Sequence, residues 1–116
     1  MRRCLLLLAM VLFNLVACSG EQVVERKSLD ISVISLDPAI TETFYALGVE
    51  QHLSGRSDYC TAPDEAKKLP QFGTALTPNF EAIARVKPNY IMLDNSLGSP
   101  AESLKELGKV VQLPWL

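Results

Sequence analysis

The chain has 116 residues, with 11 basic and 13 acidic side chains and a formal net charge of −2. That length suits one domain around one modest core. The slight acidic excess argues against a nucleic-acid partner, which would ask for a basic surface.

The N-terminus reads as an export signal. Arg2 and Arg3 form a short basic region, and Leu5 to Phe13 is an apolar run too short to span a bilayer. Leu15-Val16-Ala17-Cys18 then resembles the lipobox of bacterial lipoproteins, in which the Cys sulfur receives a diacylglycerol. The expected organisation is a signal peptide over residues 1–17, a lipidated polar tether over 18–30 and a folded unit over 31–116. Cleavage before Cys18 leaves 99 residues with 9 basic and 13 acidic groups. Of three cysteines, Cys4 departs with the signal and Cys18 is consumed by lipid, so Cys60 has no partner for an intrachain disulfide.

From Ile31 the chain alternates between strand and helix signals. Ile31 to Leu36 is a short β-rich run. Asp37 is placed to cap a helix and Pro38 to occupy its first turn, where a missing N–H is no loss. Ile40, Thr43, Phe44 and Leu47 are predicted to share the buried face of that helix, and Gly48 to end it in the left-handed region. Leu53 to Ser57 is a weaker strand, Pro63 to Leu69 a short helix, and Gln71 to Thr74 a brief extended piece.

Thr77-Pro78 is predicted to open the next helix, with Phe80, Ile83 and Ala84 inward and Lys87-Pro88 at its end. Tyr90 to Asp94 is a compact buried strand. Ser99-Pro100-Ala101-Glu102 has the spacing of a capping box for a helix with Leu104 and Leu107 inward, closed by Gly108. Val110 to Leu113 is a last strand. This alternation predicts an α/β fold: an open, mainly parallel sheet with helices on both faces. Right-handed crossovers bring Asp37-Pro38, Ser57 to Cys60 and Asp94-Asn95 to one edge of that sheet, where ligands of open α/β sheets bind.

Motifs for chemistry are missing from the sequence. It contains neither GxGxxG nor GxxxxGK[ST]. His52 is the sole histidine; it reads as a surface residue and leaves no metal cluster to assemble. Cys60, without a local base, reads as a packed thiol. No Ser-His-Asp set is available, so neither catalytic residues nor a cofactor are expected.

ISLDPAITETFYALG, GRSDYC followed by PDEAKKLP, FGT, and NFEAIARVKPNYIML, in that order, resemble the N-terminal lobe of the periplasmic binding proteins of iron-siderophore, heme and cobalamin ABC importers. The likeness extends from about Ser32 to the end of the chain. It implies one Rossmann-like lobe of a two-lobe receptor, with the second lobe absent, as in a fragment, a truncated gene or a degenerate copy. The implied activity is capture of a metal chelate without chemistry and delivery to ABC permease subunits, on the outer side of a bacterial membrane to which the lipid anchors the protein. The implied cleft wall comprises Asp37, Pro38, Ala39 and Tyr59. The cobalamin pattern is incomplete, because Gly73-Thr74-Ala75-Leu76 lacks an aromatic and Asp94 stands where another is expected; the heme pattern lacks a suitable His or second Tyr. Asn79-Phe80-Glu81-Ala82-Ile83 matches the family helix whose exposed Glu docks onto permease arginines, which implies that role for Glu81. An exposed pair with Arg85 four residues on explains Glu81 equally well. Two other readings remain at this stage: a fragment of a secreted α/β enzyme, and a lipid-anchored interaction module without a small-molecule ligand.

Overall fold

A computed structural model describes residues 30–95 and 100–114. The expected signal peptide and nearly all of the tether lie outside the described residues.

Four strands form one sheet: β1 (Val33–Ser35), β2 (Leu53–Arg56), β3 (Tyr90–Asp94) and β4 (Lys109–Leu113). Their order is β2-β1-β3-β4 and every pairing is parallel. Helix α1 (Pro38–Ala46) connects β1 to β2, α2 (Phe80–Val86) precedes β3, and α3 (Ala101–Leu104) connects β3 to β4. The expected open parallel sheet with helices on both faces is therefore present.

Alternation along the strands divides the core in two. On one face Ile34 and Leu36, with Ile91 and Leu93, pack with Ile83 of α2, Leu104 of α3, Phe72 and Ala75. On the other, Ser35 meets α1, where Thr41 Oγ1 donates to Ser35 Oγ at 2.9 Å, and Ile40 is buried. The chain moves from β1 to β2 in one direction across the sheet, and from β3 to β4 in the opposite direction with its helix on the opposite face. Both connections consequently have one hand. The reversal falls between β1 and β3, which is the topological switch point of this sheet.

Several local expectations need correction. In α1, Ile40 and Thr41 are buried and Phe44 half-buried, whereas Thr43 is exposed and Leu47 is 70 % exposed. The inward stripe runs through positions 40, 41 and 44, and Leu47 follows the last helical residue. Gly48 does take the left-handed conformation, φ +67. Helix α2 starts at Phe80, capped by Asn79 rather than by Thr77-Pro78; Asn79 Oδ1 accepts from Ala82 N at 3.0 Å. Its buried side centres on Ile83, with Ala82 half-buried; Ala84 is exposed, and Phe80, though one turn from Ile83, stands at the helix's open first position and is 39 % exposed. The short helix expected over Pro63 to Leu69 is present as a 3₁₀ turn over Asp64–Lys68. The capping box was expected on Ser99; among the described residues Pro100 is the N-cap, with no side-chain cap bond, and Glu102 pairs with Lys105. Ser99 lies outside the described residues.

Candidate ligand-binding site

Because the strands are parallel, all four C-terminal ends share one edge, and a small recess of about 110 Å³ opens there. Leu36, Asp37 and Pro38 reach it from the end of β1, Ser57 and Tyr59 from the end of β2, and Thr74, Ala75 and Leu76 from the loop before α2.

Each wall has a local cause. Asp37 is extended (φ −131, ψ 133), and its Oδ1 accepts from Ala39 N at 2.8 Å and Ile40 N at 3.1 Å. The carboxylate satisfies two donors that the helix cannot satisfy itself and complements the positive end of its dipole. Asp37 thus shapes the corner by holding α1. Ser57, 1 % exposed, organises the second wall: its Oγ accepts from Tyr59 N at 3.1 Å and its carbonyl from Cys60 N at 3.1 Å. The third wall turns at Gly73, φ +85, where an added Cβ would lie 2.4 Å from the Thr77 carbonyl oxygen. Only glycine fits that close approach. Asp58 N donates to Gly73 O at 2.9 Å and ties the second wall to the third.

The surface so made is apolar with an aromatic lip. Tyr59 is 71 % and Leu76 56 % exposed, two of the most exposed large apolar side chains among the described residues. Asp37 is the one carboxylate in the lining, and no Lys, Arg or His belongs to it. Among the described residues no group of three His, Cys, Asp or Glu side chains is placed to hold a metal ion. Among the described residues the displaced titrations lie elsewhere: burial raises Tyr45 on α1, with help from Glu50 and Glu65, and the hydrogen bond from Lys67 lowers Asp64.

Of the residues singled out from the sequence, Asp37, Pro38 and Tyr59 meet at the recess; Ala39 does not, being exposed on the first turn of α1. Asp94 and Asn95 share the edge but not the lining, since Asn95 N is drawn to Leu113 O at 3.2 Å. Cys60 is wholly buried with its Sγ 3.1 Å from Thr41 Oγ1, the packed thiol expected of it. His52 is half-buried in a 3₁₀ turn, Glu50–His52, not fully on the surface. Glu81 is exposed in the first turn of α2 and pairs with Arg85. Leu36 was not anticipated in the lining, whereas Ser57 was expected at this edge and Leu76 lies in the Gly73–Leu76 segment that the resemblance brought to the cleft. The glycine at 73 was the available signal for a tight loop at the third wall.

The periplasmic binding protein family matches residues 33–113 of the chain. The chain belongs to that family. A vitamin B12-binding protein of Pectobacterium atrosepticum is 33 % identical over 96 residues, covering 83 % of this chain and 32 % of its own length. An uncharacterized ABC transporter substrate-binding lipoprotein of Bacillus subtilis is 30 % identical over 90 residues, with 77 % and 28 % covered. The crystal structure of a possible iron-binding, periplasmic solute-binding protein from Staphylococcus epidermidis superposes with a TM-score of 0.66 at 33 % identity, covering 73 % of this chain and 35 % of that one. The chain spans about a third of the length of the relatives it matches. These family members are binding proteins, in keeping with a sequence that offers no catalytic set.

Proposed function

We propose that the protein is an extracytoplasmic solute-binding lipoprotein of an ABC importer, which captures an iron or cobalt chelate (cobalamin, a siderophore or heme) and delivers it to the permease. The observation that carries this reading is the convergence of three walls on an apolar recess at the C-terminal edge of the sheet, with the Tyr59 ring free to lie against a ligand. The relatives named for vitamin B12 and iron binding support the class of ligand. The lipobox-like Leu15-Val16-Ala17-Cys18 supports the anchor. Glu81 supports docking: it is exposed in the first turn of α2, the helix that directly follows the Thr74–Leu76 wall of the recess.

A recess of about 110 Å³ is one wall of a site for so large a ligand. Affinity follows preorganised contacts from all sides more than area from one. This chain should therefore bind weakly alone, and submicromolar affinity belongs to a polypeptide that supplies a second wall. The test is titration, by intrinsic fluorescence, of this chain and of any longer product encoded past codon 116, against cyanocobalamin, hemin and ferric siderophores. Saturable binding of one of them, weakened roughly tenfold or more by Tyr59→Ala, about 1.4 kcal/mol, is expected. A folded longer product that binds none of the panel removes the chelate-receptor reading.

A further inference from the structure

Arg56 closes β2 and is 7 % exposed, in a position where a strand residue is ordinarily apolar. Its guanidinium is always charged, yet it joins none of the ion pairs among the described residues. Instead Nη1 donates to Ser57 O at 3.0 Å and Cys60 O at 3.1 Å, and Nη2 to Lys67 O at 3.3 Å. Nε is buried without a partner. A buried charge with an orphaned N–H costs stability relative to a well-packed apolar side chain of similar volume. What the arrangement provides in return is geometry.

We propose that Arg56 is the positioning residue of the ligand-binding site: its planar fork fastens the Ser57–Cys60 turn, and through it Tyr59, to the end of β2. The assignment rests on the ligand-binding reading above. Tyr59 is 71 % exposed, so packing does not hold its ring; the backbone of the turn sets where it stands. That turn hangs on Ser57, whose carbonyl accepts from both Cys60 N and the guanidinium, and on Cys60, whose carbonyl accepts from the guanidinium as well. The third bond crosses to the 3₁₀ turn over Asp64–Lys68. The main chain of Arg56 adds two ties, its N–H to Pro70 O and its carbonyl from Phe72 N, both 3.0 Å. One residue therefore joins every segment that leaves β2 on the way to the third wall. A lysine ammonium, a point charge on a flexible stem, cannot reproduce a fork with fixed donors to three carbonyls.

Cys60 provides a readout that needs no ligand. In a Cys4→Ser, Cys18→Ser background it is the single thiol, and its burial means that a thiol reagent reaches it only when the turn opens. In Arg56→Lys and Arg56→Met, labelling of Cys60 is expected to accelerate about tenfold or more in the absence of urea. The rate should depend little on urea, the signature of local rather than global opening. Amide exchange should rise at Asp58, Tyr59 and Cys60 and stay unchanged at Leu36, whose N–H donates to Met92 O at 2.8 Å across the sheet. Labelling that speeds up only in proportion to lost global stability, with the urea slope of global unfolding, overturns the proposal. So does an Arg56→Lys protein that labels like the parent, or loss of the fold in both variants. Because the assay contains no chelate, its outcome is independent of whether the titration finds one.

Discussion

Replacing Asp37 by Ala tests its role as the cap of α1. Oδ1 accepts two backbone N–H groups, at 2.8 and 3.1 Å, and Pro38 has no N–H to offer, so this oxygen serves the leading donors of a nine-residue helix. Loss of an N-cap costs about 0.5–2 kcal/mol. The upper half of that range applies, because two donors are affected and Ile40 is buried, although water can reach the exposed Ala39. A destabilisation of about 1–2 kcal/mol lowers the melting temperature of a domain this size by roughly 4–16 °C. Asp37→Asn keeps an acceptor and should lie within about 0.5 kcal/mol of the parent. Urea unfolding followed by far-UV circular dichroism measures both, with equal slopes required for the comparison. If Asn costs as much as Ala, or Ala costs less than about 0.3 kcal/mol, capping is not what Asp37 does and the argument from α1 geometry fails.

Two further outcomes test the placement of the protein. Cys18→Ser should release it from membranes and abolish incorporation of radioactive palmitate; undiminished membrane retention would point to an anchor of another kind. Glu81→Lys should weaken association with vesicles carrying the permease while costing only about 1 kcal/mol of stability, from the pair lost, the repulsion of Arg85 gained and a cation in the first helical turn. Association unchanged by charge reversal would leave Glu81 as the partner of Arg85 alone.

The strand and helix order was legible because its punctuation is local. Asp37-Pro38, Gly48 and Lys87-Pro88 mark ends by backbone preference, and the apolar runs between them are long enough to register. Which way a helix faces was less legible. In α1 the buried Thr41 is polar, and it is inward because its hydroxyl finds Ser35, Cys60 and the Asp37 carbonyl, partners that only the folded sheet supplies. In α2 seven residues give too short a window for periodicity to place Phe80 correctly. At the recess, Asp37-Pro38 and Tyr59 could be read from their order after strands, but Arg56 could not. Arginine is ordinarily exposed, and its acceptors are carbonyls, which leave no mark in the sequence.

The parallel sheet also fixes how the protein would hang. The strands enter at the edge opposite the recess, so the polypeptide joins β1 at the pole remote from the mouth. Val33 stands fifteen residues beyond Cys18. A chain spans at most about 3.3–3.6 Å per residue, a reach of about 50 Å. A five-residue strand occupies about 17 Å of it. With a lipid at Cys18, turning the mouth toward the membrane obliges the leash to run back along the whole body before it meets the bilayer, and its length leaves slack for that inversion. With that anchor, deleting about eight residues between Cys18 and Ile31 would leave a reach of roughly 25 Å, too short for the inversion.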